Sequence, residues 1–467
     1  MNAELNLVMP GDVKIIVPDD LHVTTAYVLQ EQGDWFEDEI RFVRAFIRPG
    51  MRAVDVGANF GVYSLTLARA VGAAGRVWAI EPGTQAADFL ARSIAANSFS
   101  QVEVIRCALS RTDGHGYLNT DVTPELQSLA VVGTGAPTEI RALDSLTEER
   151  SIERVDFIKI DVEGEERSVL EGAERLLVRE APLLMIEFWG ANKFNVGIFE
   201  PLYRTGHDCF RLMPGINVLV PFYESEEPDA YQLNLFACKP QRAEMLSRMG
   251  CLMTTPAKVK PFFAREPDTD ALFRQPYAAA HASKWRAQIA RSPRDGPIAA
   301  HTAALRWYVA AKDAANSAQA RHWALGRAYS QLTDLLAADF NAPRACSFIR
   351  IAAACGRRSE AVAVSRRLAQ ELSVEEARGV DPFTEPFVPP WPYYETLKAD
   401  AGPAVWMQAA ALESFEHLFQ FSSCDKKALA HELLGIEIDR GTLSAHYARR
   451  ERLFNRRNGK HTTAAMR

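Results

Sequence analysis

Cysteine pairs are missing from this 467-residue sequence. Its seven cysteines stand at 107, 209, 238, 251, 346, 355 and 424, and none forms a C-x-x-C. That excludes the common zinc spacings and gives no disulfide framework. Scattered thiols fit a reducing, cytoplasmic setting. No apolar run reaches the length of a membrane span. The N-terminus, Met1-Asn2-Ala3-Glu4-Leu5-Asn6, lacks a basic segment ahead of an apolar core, so no signal peptide is expected. Excess positive charge is absent as well: the formal net charge is −6, which gives no support for nucleic-acid binding. What is present is the composition of a soluble globular protein, 48% hydrophobic and 24% charged. The length suggests roughly two or three domains.

Two common nucleotide signatures are also incomplete. The stretch Val54-Asp55-Val56-Gly57-Ala58-Asn59-Phe60-Gly61 is not followed by Gly-Lys-Ser/Thr, which excludes a P-loop. Gly57 and Gly61 flank Asn59, and Ser64 stands where a dinucleotide fingerprint has its third glycine. The stretch itself reads as an apolar strand, a tight glycine turn and a helix from Tyr63 to about Ala70. Such a turn lets backbone approach a ligand closely at the end of a strand. Asp55, just before it, is placed to hold the amino end of a methionine moiety. Glu81 ends a second strand about twenty residues on, where an acid accepts hydrogen bonds from ribose hydroxyls. The pattern favours S-adenosylmethionine over NAD. A nicotinamide-dependent oxidoreductase is the competing enzyme reading, and a plain strand-to-helix turn with a stray acid is the bland one.

Up to about Pro240 the chain alternates strand and helix patterns. Strands are predicted at 13–17, 52–56, 76–80, 102–105, 155–160, 183–188, 217–221 and 232–238, and helices at 34–47, 62–71, 84–97 and 165–178. This argues for a largely parallel sheet covered on both faces. Beyond Pro240 only helical periodicity remains, at 268–290, 298–313, 318–337, 343–355, 359–371, 403–421 and 426–434. The expected organisation is an N-terminal segment 1–50 leading into an α/β domain 51–240, then a helical domain 241–467. Leu325-Gly326-x-x-Tyr329 and the Ala352 to Ala361 stretch look like pieces of tetratricopeptide units, but the period of about 34 residues is not met between them. A helix-pair array and an irregular bundle both stay open. Residues 381–394 carry five prolines, which exclude a regular helix. Their aromatics suggest a loop that packs on something or closes over an acceptor pocket. The basic stretch 449–457 reads as a frayed helix with a tail.

Ordered blocks over roughly residues 10–240 resemble the FkbM-type methyltransferases, within the class I S-adenosylmethionine-dependent fold. They are Gly33-Asp34-Trp35-Phe36-Glu37, the turn from Val54 to Ser64, Glu81-Pro82, Asn97, Ala108-Leu109-Ser110, Leu143-Asp144-Ser145-Leu146, Val155 to Glu166, Val169 to Ala173, and Glu187. The resemblance implies a Rossmann-like, seven-stranded mixed sheet whose last strand is antiparallel. It implies methyl transfer, usually to a hydroxyl, on a small-molecule, glycan or natural-product acceptor. It also implies cofactor contacts at Asp55, Gly57, Ala58, Asn59, Gly61, Glu81, Pro82, Asn97, Ala108 and Asp161. The helical part lies outside the resemblance. It is open to a protein partner, and a non-catalytic scaffold acting through that half is a third functional reading.

Ligands of open α/β sheets sit beyond the carboxyl ends of the strands. Strand 155–160 ends at Asp161 and strand 183–186 ends at Glu187, so both carboxylates should face the crevice. Asp161 is a candidate general base. Alternatively Asp161, Glu163 and Glu187 gather round a divalent cation. A third reading leaves Glu163, Glu165 and Glu166 as ordinary acids at a helix start. Lys159 alternates onto the face of Asp161. A lysine in an apolar strand needs a partner, and Asp55, Glu187 or substrate is expected. Trp35, Phe36 and Tyr63 are candidates for the acceptor pocket or the core, and His115 and Ser128 are weaker loop candidates.

Overall fold

A computed structural model describes residues 3–119, 125, 127–130, 135–190, 193–256, 259–265, 267–377, 381–399, 403–419 and 445–457. The centre is an eight-stranded sheet, numbered here in chain order. Its strands are β1 Arg52–Val56, β2 Arg76–Ile80, β3 Val102–Ile105, β4 Phe157–Ile160, β5 Leu183–Glu187, β6 Asp208–Met213, β7 Val218–Pro221 and β8 Asn234–Cys238. The spatial order is β7-β6-β8-β5-β4-β1-β2-β3. The five strands from β3 to β5 run parallel, while β8 is antiparallel to both β5 and β6, and β7 is antiparallel to β6.

Two expectations change here. The sheet has eight strands rather than seven, because β6 was not foreseen. Asp208 and Arg211 interrupt its apolar run, although Cys209, Phe210, Leu212 and Met213 are buried. The apolar run at 13–17 belongs instead to a separate hairpin, Glu4–Met9 with Val13–Pro18.

Alternation along the strands builds two cores. Ala53, Phe157, Leu183 and Met185 face one hydrophobic cluster. Val54, Val56, Ile158, Ile160, Leu184 and Ile186 face the other. Period-two side chains buried on both faces are what a helix-covered parallel sheet requires. Asp55 and Lys159 share the parity of the first set and are register partners across β1 and β4. Ile160 pairs with Ile186, so Asp161 and Glu187 follow side by side at the strand ends.

Helices missed by periodicity occur at Thr24–Gln32, Leu143–Glu149, Phe199–Arg204 and Pro240–Arg248. The single helix expected at 165–178 is two, Glu166–Glu171 and Glu174–Glu180. The break is at Gly172, where an added Cβ would lie 2.3 Å from the Ser110 carbonyl oxygen. Past Arg248 the described residues are mainly helical, as expected. The long pieces are Ala282–Arg291, Pro297–Lys312, Ala318–Ala338, Ala342–Ala354, Arg358–Ala377, Pro403–Phe419 and Ala445–Arg457. The helix expected at 426–434 lies outside the described residues.

The helical part shares a core with the sheet. Met213, Ile216, Val218 and Val220 lie in one cluster with Trp285, Leu305, Ile349 and Trp406. The β6–β7 turn is held by backbone: Gly215 N donates to Ala354 O at 2.9 Å, and the Arg211 guanidinium donates to Cys355 O at 3.1 Å. A Cβ on Gly215 would lie 2.3 Å from that of Ala354, so this contact needs glycine. The exposed edge of β7 is covered by residues 251–253, through Leu219 N to Cys251 O and Met253 N to Leu219 O, both 2.8 Å.

The Pro-rich segment is core filling rather than a lid. Phe383, Phe387, Val388 and Tyr394 are buried in the helical cluster. The Tyr277 hydroxyl donates to Phe387 O at 2.6 Å. Beneath it, buried His301 stands between Glu385, 3.2 Å from Nδ1, and Ser347, 3.0 Å from Nε2. Arg344 Nε donates to Glu385 at 2.7 Å, and Val388 N donates to Ser347 Oγ at 3.2 Å. Ser347 is wholly buried, so this order of Ser, His and Glu serves to fasten the segment.

Candidate active site

A cavity of about 270 Å3 opens beyond the carboxyl ends of β1, β2, β4 and β5. At its floor is the glycine turn. Gly57 has φ +77°, and its N–H and that of Ala58 both donate to Ile80 O at 3.0 Å. A Cβ on Gly57 would lie 1.7 Å from the Asp161 carbonyl oxygen. The glycine is therefore demanded by close passage of the β4 backbone. Asn59 adopts φ +50°, which asparagine tolerates.

Glu81 reaches across to this turn. One carboxylate oxygen accepts from Asn59 N and the other from Gly83 N, each at 2.7 Å. Burial pushes its carboxyl up to about 7, against the pull of those two amides. Asp55 is wholly buried. Its Oδ2 accepts from Ser64 Oγ at 2.6 Å, while Oδ1 has no hydrogen-bond partner among the described residues. Burial raises its carboxyl, and Lys159 opposes that rise. Pro82 and Ala108 line the same end of the cavity.

The other end is acidic around one buried cation. Lys159 is 4% exposed and its Nζ lies 2.7 Å from Asp161 Oδ2 and 4.9 Å from the centre of the Tyr63 ring. Its partner is thus Asp161, not the expected Asp55 or Glu187. Burial alone would lower the lysine, but Asp161, Asp55 and Glu37 together hold it above the usual value. The Tyr63 hydroxyl donates to Glu37, which also accepts from Asn234 Nδ2 at 3.3 Å. Burial raises Glu37 too. Glu163 sits at φ +52° in the turn after Asp161, and burial with Asp161 and Glu166 nearby pushes it up to about 7. Glu187 goes furthest, to about 11, through burial and the same carboxylates. Carboxylate oxygens of Asp161, Glu163 and Glu187 converge within 4.8 Å of one another.

Glu166 fastens the turn that follows β4. Its carboxylate accepts from Val162 N at 3.2 Å, Gly164 N at 3.1 Å and Asn195 Nδ2 at 2.8 Å. Glu165 accepts from Ser110 Oγ at 2.9 Å and still lines the cavity.

The raised acids make stability depend on pH. A carboxyl with a native value of about 11 and an unfolded value near 4.5 binds its proton more tightly when folded, so stability falls as pH rises between the two. Glu187→Gln should therefore stabilise the protein at pH 8, by about 1–3 kcal/mol as for relief of a poorly paired buried group, and flatten the melting temperature between pH 5 and 9. Equal pH slopes for variant and parent would show that Glu187 does not titrate in this way.

The structure gathers Asp55, Gly57, Ala58, Asn59, Gly61, Glu81, Pro82, Ala108, Lys159, Asp161, Glu163 and Glu187 round the one cavity. It does not bring Asn97 there. That carboxamide is committed to the N-terminal hairpin, accepting from Lys14 N at 2.9 Å and donating to Lys14 O at 2.6 Å. His115 pairs across strands with Glu139, and neither it nor Ser128 lines the cavity. Trp35, Phe36 and Tyr63 do line it, and Gln127 and Leu129 take the place given to Ser128. Glu37, Thr24, Thr25 and Glu125 were missed. Only the block Gly33 to Glu37 held a signal for the first of them.

Residues 55–207 match the family described as the methyltransferase FkbM domain. The chain is 29% identical over 192 residues to methyltransferase sdnD of Sordaria araneosa, covering 34% of this chain and 74% of that one. Among solved structures, methyltransferase FkbM from Methylobacillus flagellatus KT aligns at 19% identity with a TM-score of 0.31, over 47% of this chain and 56% of that one. A SAM-dependent O-methyltransferase from Thermotoga maritima aligns at 15% identity with a TM-score of 0.28, over 50% and 77%. The glycine turn, Glu81 and the Lys159–Asp161 pair all lie inside the span that is similar to the methyltransferase FkbM domain, residues 55–207.

Proposed function

We propose that the cavity binds S-adenosylmethionine and directs methyl transfer to a hydroxyl of a small-molecule or glycan acceptor. The observation that carries this is the charge of the lining. Among the described residues Lys159 is the only basic side chain there, surrounded by Glu37, Asp55, Asp161, Glu163 and Glu187. Even with Glu187 protonated, this lining offers carboxyl oxygens to a ligand bearing ammonium and sulfonium charges, and its one lysine, already paired with Asp161, gives no cationic cradle for the pyrophosphate of a dinucleotide. Asp55, with its orphaned oxygen, suits the ammonium, and Glu81 suits the ribose hydroxyls. When bound, the cofactor supplies an electrophilic methyl group on a good leaving group.

The protein's own part is alignment and proton removal. Tyr63, Trp35 and Phe36 wall the acceptor end. Asp161, fixed by Lys159, is the first candidate to take the hydroxyl proton. Glu163 is the second, because a value of about 7 suits proton removal near neutral pH. If Glu163 is the base, turnover rises as pH passes upward through about 7.

A second reading is favoured by the convergence of Asp161, Glu163 and Glu187. A divalent cation held there would clamp and acidify the acceptor hydroxyl. Loss of activity with a chelator, restored by magnesium, would select it. The acceptor itself is found by incubating the protein with methyl-labelled S-adenosylmethionine and cell extract, then weighing the labelled products. Label on oxygen supports this reading, and label on nitrogen or carbon overturns the hydroxyl assignment.

Glu81→Ala should weaken S-adenosylmethionine binding by about 1.5–3 kcal/mol, the range for hydrogen bonds to a charged group. Unchanged affinity by calorimetry would remove Glu81 from the cofactor site.

A further inference from the structure

The wall of the cavity is supported from the far end of the chain. The helix Thr24–Gln32 supplies Thr24 and Thr25 to the lining, and Thr25 N donates to Glu125, another lining residue, at 3.1 Å. Trp35, Phe36 and Glu37 follow it closely and also line the cavity. One short helix is thus flanked on both sides by residues that line the cavity. It carries Tyr27 and, in its last turn, Glu31, both 0% exposed.

What covers Tyr27 and Glu31 is the C-terminal helix Ala445–Arg457. Arg450 Nε lies 2.9 Å from Glu31 Oε1, and the two side chains are only 6% and 1% exposed. Leu453 packs with Leu21 and Tyr27 in a small apolar cluster of its own. The Arg457 guanidinium lies 5.5 Å from the Tyr27 ring centre, and Arg456 is 3.6 Å from Asp19. Positions 450, 453 and 457 form one face of a helix. That face therefore meets the 24–32 helix through an ion pair, an apolar contact and a cation–π contact.

We propose that the C-terminal helix is a brace for the cofactor cavity, with Arg450 as its positioning residue; this rests on the cofactor reading above. Arg450 does not line the cavity. It neutralises Glu31 in a buried setting, where losing one partner of an ion pair is strongly disfavoured. Removing the arginine takes this cation from a buried carboxylate, which then turns toward water, and the 24–32 helix moves with it. The cavity is then complete for only part of the time, and apparent affinity drops by the populated fraction.

The test uses the full-length chain, S-adenosylhomocysteine as the calorimetric probe, and amide hydrogen exchange. Arg450→Met should raise the Kd about tenfold, as for a wall in place about one time in ten. Exchange should quicken in residues 24–32 and stay unchanged in β1 and β4. Arg450→Lys should recover most of the affinity. Faster exchange in 24–32 with an unchanged Kd would overturn the brace, as would quickening in β1 and β4 to the same degree, which marks general destabilisation. Parent protein that binds no S-adenosylhomocysteine would sink the cofactor reading and the brace with it. Failure of the brace alone looks different: parent and Arg450→Met then bind equally well.

Discussion

Asp161→Asn should lower turnover about 10²–10⁴-fold, the usual contribution of a positioned base, while the protein stays folded. Asparagine keeps the size of the side chain and an oxygen for Lys159, 2.7 Å away in the parent. It removes the negative charge and the proton acceptor. Some stability should be lost as well, since Lys159 is buried and loses its closest anion. That loss should fall short of the about 3–5 kcal/mol for breaking a fully buried pair, because the Asp161 side chain is 32% exposed. Glu163→Gln is the companion variant. Turnover lost in Asp161→Asn and kept in Glu163→Gln assigns the base to Asp161, and the reverse assigns it to Glu163. Activity surviving in both, and resisting chelators, would exclude each of them and the cation.

Gly57→Ala should be among the most destabilising single substitutions in the chain, beyond about 4 kcal/mol. Two effects add. A left-handed backbone costs a non-glycine residue about 1–2 kcal/mol, and Gly57 is at φ +77°. The added Cβ must also displace the Asp161 carbonyl, 1.7 Å from where it would stand. The second effect decides the size, because that carbonyl is backbone at the end of β4 and cannot rotate away. Gly164→Ala is the control: φ is +103°, with nothing within 4 Å of the new methyl. It should show the backbone effect alone. Denaturant unfolding of the two variants measures the difference. Similar losses would mean that the β1 and β4 ends separate easily, and that the turn does not fix Asp161.

The glycine-turn end of this site was legible because its residues lie within short runs. Asp55, Gly57 and Gly61 belong to one strand and turn, and Glu81 closes the next strand in space. Asp161 and Glu187 were legible from the rule that strand ends face the crevice. Lys159 was recognised as needing a partner, but the partner was misjudged. Pairing with Asp161 two residues on depends on where the strand ends, and that is set by the turn at Glu163 and Gly164. Asn97 was placed by resemblance alone, and its carboxamide answers to the hairpin at Lys14 instead. β6 was hidden because Asp208 and Arg211 break its pattern, and Arg211 serves a contact 144 residues away in sequence. Glu37, Thr25 and Arg450 act through partners remote in the chain, which no local pattern encodes. The Pro-rich segment was rightly read as non-helical, but whether it covered the site or the core depended on tertiary contacts to Tyr277 and Ser347.

Calorimetric titration of the purified chain with S-adenosylmethionine, S-adenosylhomocysteine and NAD tests the central claim most directly. A cavity lined by carboxylates round one lysine should bind the first two with one-to-one stoichiometry and give no heat with NAD. Saturable binding of NAD, or no binding of either methionine-derived ligand, would contradict it.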